Sequence, residues 1–361
     1  MRKQLYMEEL SNFCRWLKKN FVPKPGDHTR PARCWSEKDF LDNRIVDAFV
    51  IVLKTRGCSW ALNHGCTMCG YFNESTWKKL SEEDLFRQFE TAMEQYNGEK
   101  IVKIYTSGSF LDNQEIKPVV RKKILQTLTK TTVEMVSVET RPEYVSYDQL
   151  EDIKKIFRTK LLEISIGLET ANDFVRKYSI NKGFTLDDYK KAADMVKKND
   201  FRLKTYLLIK PPFLTEKESI LDSISSVKKI MDCTDTISFN PVNVQRNTVV
   251  EYLWRRNEYR PPWLWSIAEI LKKCKKLVKD DVRIKCDVAG GGKKRGAHNC
   301  GRCDRRFLSA IASFSLNQKE EVFDKLECRC REVWYDQLEI ENLSFGSLTD
   351  NIPLAHPVSW R

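Results

Sequence analysis

The residues best equipped for chemistry are cysteines, twelve of them in 361 residues, and their spacing sorts them. Cys58, Cys66 and Cys69 share one stretch, RGCSWALNHGCTMCGY. Further on, Cys300 and Cys303 make a C-x2-C pair and Cys328 and Cys330 a tighter C-x-C pair, with Cys286 and His298 just upstream. Cys14, Cys34, Cys233 and Cys274 stand alone and read as small apolar packing residues. Three thiolates in one loop support two readings. Zinc takes four protein ligands in a structural site, or three and a water in a catalytic one; a 4Fe–4S cluster held by three cysteines keeps one iron open. His64, inside the same loop, reads as an exposed loop residue. The two later pairs, 24 residues apart, have the layout of a small tetrahedral zinc site that fastens a tail too short to own a core. Its ligands read as Cys300, Cys303, Cys328 and Cys330, with Cys286 or His298 as alternates, and a second iron–sulfur cluster is the other reading of the metal.

These residues need a frame. Apolar or β-branched runs at 48–53, 101–106, 134–139, 161–168, 202–209 and 236–244 alternate with helical stretches, the pattern of βαβ units and a parallel sheet. Ser81 followed by acids, and Thr185 with Asp188 three residues on, mark helix starts. Right-handed crossovers then curl six strands into an α/β fold, a full or partial (β/α)6 barrel with its site on the loops at the strands' C-terminal ends. The expected organisation is an N-terminal helix and Pro-rich linker (1–45), the barrel and a following helix begun by Pro261 and Pro262 (46–285), and a Cys-rich C-terminal appendage (286–361). VRIKCDV reads as strand-like and AGGGKKRG as flexible. The first cysteine loop follows the first strand directly, where a reactive centre belongs. That favours the cluster with an open iron, which lets S-adenosylmethionine chelate and be cleaved.

Composition excludes other classes. With 41% apolar residues, 14 Gly and 12 Pro, the chain is neither disordered nor collagen-like. The longest wholly apolar run, Ala48 to Leu53, is six residues, far below the roughly 20 of a membrane helix, and MRKQLYMEELSNFCRWLKK lacks a signal-peptide pattern. A cytoplasmic location is expected, where thiols stay reduced and motif-spaced cysteines bind metal. Net charge is +12, and the stretch 270–306 carries 13 Lys or Arg against four Asp. It reads either as a phosphate-binding surface or as solvated helix face. In NVQRNTVVEYLWRRNEYRPPWLW, Arg255 and Arg256 mix with aromatics that could stack on unpaired bases, or pack the barrel. Asn240, Asn243 and Gln245 are read along the sixth strand as one substrate-facing set.

The cysteine loop resembles that of radical S-adenosylmethionine enzymes. The form CTMCGY is kept, with an aromatic, Tyr71, after the glycine, while C-x7-C replaces the common C-x3-C, a wider spacing that resembles some tRNA-modifying branches. Ser107-Gly108-Ser109-Phe110 follows the second run and Glu139-Thr140-Arg141-Pro142, similar to a segment of the elongator-like subgroup, the third. Gly167-Leu168-Glu169-Thr170 ends the fourth and Lys210-Pro211-Pro212 the fifth. With YTSGSFLDNQEI and RGAHNCGRCD, the chain is similar, roughly from Cys34 to Cys330, to the archaeal radical enzymes of archaeosine formation.

That resemblance implies that Cys58, Cys66 and Cys69 hold the catalytic 4Fe–4S cluster. It also implies that Tyr71, Ser107, Gly108, Ser109, Glu139, Arg141 and Glu169 line the S-adenosylmethionine site. In that family a companion archaeosine synthase attaches lysine to 7-cyano-7-deazaguanine in the D-arm of tRNA, and the radical enzyme then breaks a C–N bond of the adduct to leave archaeosine. The implied partners are tRNA, the lysine-transferring synthase and an electron donor, and no membrane. Other readings are radical methylthiolation or methylation of a tRNA base, and a zinc-dependent RNA-binding adaptor.

Overall fold

The computed structural model describes residues 2–19, 21, 26–76, 78–157 and 160–344. Residues 22–25 of the expected linker and 345–361 of the appendage lie outside them. One sheet holds eight strands in sequence order: β1 (Arg33–Leu41), β2 (Arg44–Val52), β3 (Ile101–Tyr105), β4 (Met135–Thr140), β5 (Leu161–Glu169), β6 (Arg202–Ile209), β7 (Thr236–Pro241) and β8 (Arg283–Cys286). β1 pairs antiparallel with β2; every later pair is parallel.

The six expected runs are β2 to β7, and VRIKCDV supplies β8. β1 departs from the linker expected within 1–45, since Arg33–Leu41 form a strand. Its hairpin turns on Asp42 and Asn43, at φ 45° and 62°. Asp and Asn tolerate the left-handed region that a two-residue turn needs at both central positions. The helix expected from Pro261 begins instead at Leu264, with Trp263 at its N-cap.

Alternation along the strands divides apolar from ionic. Outward residues such as Phe49, Ile51, Val102, Ile104, Val136, Val138, Ile164, Leu203, Phe239 and Ile284 are buried in one core with the crossover helices. Those helices start where caps dictate: Ser81 accepts from the Asp84 N–H, and both Thr185 with Asp188 and Thr215 with Glu218 form capping boxes.

The inward wall is charged. Lys103 pairs with Asp39 (2.5 Å) and Glu37 (2.6 Å), Lys285 with Asp39 (2.5 Å), and Lys204 with Glu163 (2.5 Å). Against the cost of burial, Lys285 and Lys103 hold the Asp39 carboxyl far below the usual carboxylate range. The Lys285–Asp39 pair, with Arg283 lying 3.6 Å over the Phe40 ring, links the two edge strands β8 and β1 through side chains. Among the described residues no helix is long and apolar enough to cross a membrane.

Candidate active site

The loop after β2 carries the three cysteines to the C-terminal ends of the strands. Gly57 and Gly65 take φ of 93° and 101° to shape it. Between Cys58 and Cys66 the chain forms a short helix, Ser59–Asn63, which accounts for the wide spacing. His64 stacks on Trp60 with ring centroids 4.2 Å apart. Burial raises all three thiols, Cys69 to about 12, with the neighbouring thiols raising Cys66 and Cys69 further. Arg141 opposes the rise at Cys58, Lys182 and Arg141 at Cys66, and Lys18 at Cys69. Three thiols that sense one another inside a ring of cations form a soft-ligand site with its counter-charge in place.

Lys18 belongs to the N-terminal helix Arg2–Lys18, which the sequence reading left without a role. Its ammonium donates to the Ala61 carbonyl (2.7 Å) and lies 4.8 Å over the Phe72 ring. One and two turns earlier, Cys14 and Leu10 are also buried, and Tyr6 donates to the Tyr178 carbonyl (3.2 Å). The spacing of four that aligns Leu10, Cys14 and Lys18 on one face was the available signal.

The expected cofactor-contacting residues surround this loop. A side chain at Gly108 would come within 2.7 Å of the Cys58 Cα, so only glycine lets the loop after β3 lie on the cysteine backbone. Ser109 donates its N–H to Glu115 (2.5 Å), which also accepts from Thr55 (2.5 Å), and burial raises the Glu115 carboxyl to about 7. Glu115 is a site residue that motif reading missed. Glu139 is raised to about 8 by burial and accepts from the Thr106 N–H (3.4 Å). The Arg141 guanidinium lies between Trp60 (5.2 Å) and Phe184 (5.4 Å), donates to Glu143 (2.5 Å), and keeps a buried Nη2 with no hydrogen-bond partner among the described residues. Glu169, at φ 69°, pairs with Lys182 at 2.5 Å. Tyr71 is 58% exposed above the interior. Soft thiols, a glycine cradle and an orphaned guanidinium fit a cluster of the 4Fe–4S kind with S-adenosylmethionine beside it.

The expected substrate residues separate. β7 ends at Pro241, so Asn240 alone lies in the strand, and a spacing of three would in any case put Asn243 on the other face. Asn243 donates to the Ala289 carbonyl (3.4 Å), and Gln245 accepts from the Gly70 N–H (2.5 Å), bracing the cysteine loop. Arg255 and Arg256 lie beyond the interior, paired with Glu251 (3.2 Å) and Glu258 (2.8 Å). Tyr259, Trp263 and Trp265 are buried packing residues. Much of the basic stretch is neutralised locally: Lys272 by Asp324 (2.6 Å), Lys273 by Glu269 (2.8 Å), Lys276 by Glu320 (3.6 Å). Lys293, Lys294, Arg302 and Arg305 stay exposed near the second cysteine group.

In that group the sulfurs of Cys300 and Cys303 are 3.8 Å apart, those of Cys300 and Cys328 3.6 Å, and those of Cys303 and Cys330 3.7 Å. A tetrahedron of sulfurs about 2.3 Å from one zinc has edges of about 3.8 Å. Sulfurs on separate corners of an iron–sulfur cube stand much farther apart, so the spacing fits a single ion. Trp265 and Asn299 each donate to a thiol sulfur, of Cys330 and Cys303, at 3.4 Å. The alternates fall outside: Cys286 is buried in the core, and His298 Nδ1 lies 2.8 Å from the Gly296 carbonyl.

The sequence profile of the Radical SAM superfamily matches residues 52–224. Archaeosine synthase subunit beta of Methanosarcina acetivorans is 40% identical over 334 residues, 92% of this chain and 96% of that one. Archaeosine synthase subunit beta of Thermococcus kodakarensis is 39% identical over 306 residues, 83% of this chain and 94% of that one. The solved structure of Elp3 from Methanocaldococcus infernus, lacking its N-terminus, overlays with a TM-score of 0.47 at 17% identity, covering 64% of this chain and 59% of that one. With the cysteines, the fold and 40% identity across 92% of the chain in agreement, the chain is a radical S-adenosylmethionine enzyme of the archaeosine synthase subunit beta family.

Proposed function

We propose that this chain performs the radical step of archaeosine formation. In this reading it takes tRNA whose D-arm carries the lysine adduct of 7-cyano-7-deazaguanine and breaks a C–N bond of the lysyl group, leaving archaeosine. The observation that carries the reading is the 40% identity, across 92% of the chain, to archaeosine synthase subunit beta. The subunit naming of the relatives supports a complex with the lysine-transferring synthase, and a tRNA substrate supports a cytoplasmic setting.

Cys58, Cys66 and Cys69 would hold the 4Fe–4S cluster, and Tyr71, Ser107 to Ser109, Glu139, Arg141 and Glu169 would line the S-adenosylmethionine site. Bound there, with an external electron donor, the pair supplies one-electron, hydrogen-abstracting chemistry. The chain's own work is charge and position. Arg141, Lys182 and Lys18 offset the thiolates, whose protons must leave before they ligate. The inward wall and Asn240 orient the lysyl group, and the curled sheet shields the reacting carbon from water. Cys300, Cys303, Cys328 and Cys330 would hold one zinc, fixing the loop that presents Lys293, Lys294, Arg302 and Arg305 to RNA phosphates beside Arg255 and Arg256.

An anaerobic assay on tRNA bearing the adduct, followed by mass spectrometry of its nucleosides, tests this. Archaeosine is the expected product. A methylated or methylthiolated base, or unchanged adduct, contradicts the reading.

A further inference from the structure

An interior lined by helices outside and apolar inside would need only packing residues, yet this one is ionic, and its pairing leaves a remainder. Of the inward carboxylates, Glu37 and Asp39 share Lys103, Asp39 also has Lys285, and Glu163 has Lys204. Asp287 has neither an ion pair nor a side-chain hydrogen bond among the described residues, and it is exposed. Its N–H donates to the Phe239 carbonyl (3.0 Å), so the strand geometry of β8 runs through it. Ile284 and Cys286 face the core, which turns Lys285 and Asp287 to the interior. Asp287 lies within electrostatic reach of Glu37, Lys103 and Lys285, and of Tyr71 in the cysteine loop. Glu139 is also without an ion pair among the described residues, but it accepts from the Thr106 N–H, beside the expected cofactor residues.

Lys285 differs from the other interior lysines in the same way. Its side chain is 20% exposed, against 4% for Lys103 and 5% for Lys204, and its ion-pair partner among the described residues, Asp39, is also held by Lys103. The β8 wall therefore offers one partly exposed cation and, among the described residues, one unpaired anion, two residues apart.

We propose that Asp287 and Lys285 bind the free ammonium and the free carboxylate of the substrate's lysyl group. The proposal rests on the function given above. Whichever of lysine's two amines is joined to the base, the other amine and the carboxylate remain free, one cation and one anion. An ammonium that reaches the exposed Asp287 carboxylate meets the Glu37 carboxylate near it as well, two anions for one cation. Holding both charged ends on one wall fixes how far the lysyl chain reaches towards the cysteine loop.

The test is steady-state kinetics on two tRNA substrates, one bearing the lysine adduct and one bearing an adduct made with pentane-1,5-diamine, which keeps the ammonium and lacks the carboxylate. Asp287→Asn is expected to raise KM for both by about 10- to 100-fold, the weight of a charge-assisted hydrogen bond, with kcat held within about twofold. Asp287→Glu recovers part of the loss, and Lys285→Met raises KM for the lysine adduct alone. Unchanged KM in Asp287→Asn, or a loss confined to kcat, overturns the proposal while the function stands, provided the wild type forms archaeosine. A wild type that forms none overturns the function and the proposal together.

Discussion

The two cysteine groups of this chain are built on opposite plans. At Cys300, Cys303, Cys328 and Cys330 four sulfurs already stand 3.6 to 3.8 Å apart where neighbours are in contact, with Trp265 and Asn299 donating to them. That spacing fits a closed tetrahedral shell around one ion. At Cys58, Cys66 and Cys69 there are three thiols, ringed by cations, with Gly108 against the Cys58 backbone and Tyr71 open above them. That shell is incomplete by one ligand and lies at the mouth of a charged interior. A closed shell holds structure, while an incomplete one leaves room for a reactant.

Mutations should separate the two plans. The largest effect is expected at the mouth: Cys66→Ala removes S-adenosylmethionine cleavage altogether, by at least about 1,000-fold, while the far-ultraviolet spectrum and zinc content stay as in the wild type. Cleavage that persists would sink the assignment. Cys303→Ala should release zinc and lower the melting temperature, since structural zinc contributes directly to folding. If it also abolished iron binding at the mouth, the two sites would not be independent.

Next comes the ionic interior of the sheet. Asp39→Asn breaks a buried pair with Lys103 and Lys285 and should cost about 3–5 kcal/mol in denaturant unfolding at neutral pH. The folded-state pKa of Asp39 is depressed, so its stabilisation is present above the unfolded value of about 3.9 and lost as pH falls towards the folded one. The variant should accordingly show a shallower acid limb below about pH 4 than the wild type; parallel limbs would contradict the pairing.

The smallest effects are on the surface. Replacing Lys293 and Lys294 by Ala should reduce the slope of tRNA affinity against salt by about 2. Lys273→Ala, which only breaks a surface pair with Glu269, should leave that slope unchanged and shift stability by less than about 0.5 kcal/mol. Equal slopes in the two variants would remove the distinction between paired and free charge.

The sequence carried both cysteine groups, because ligand spacing is local, and it carried six strands through their apolar runs. β1 escaped because a strand of RCWSEKDFL alternates polar residues on the interior side, which reads as loop until the Asp42–Asn43 turn is recognised. The ionic interior was written in the same way, as Lys103, Glu163 and Lys204 interrupting otherwise apolar runs at every second position. Their pairing with Asp39 and Ser137 depends on the curl of the sheet, which no local pattern contains. Glu115 and Lys18 reach the cysteine loop and its neighbours through contacts 43 or more residues away in sequence, so residue type alone does not single them out.

The division of labour between the two cysteine groups is tested most directly by metal analysis of anaerobically purified, cluster-reconstituted protein beside a Cys58→Ala, Cys66→Ala, Cys69→Ala triple variant. The wild type should hold about four irons and one zinc per chain, and the variant should keep the zinc and lose all the iron. Iron retained in the variant, or zinc lost with it, would contradict the account.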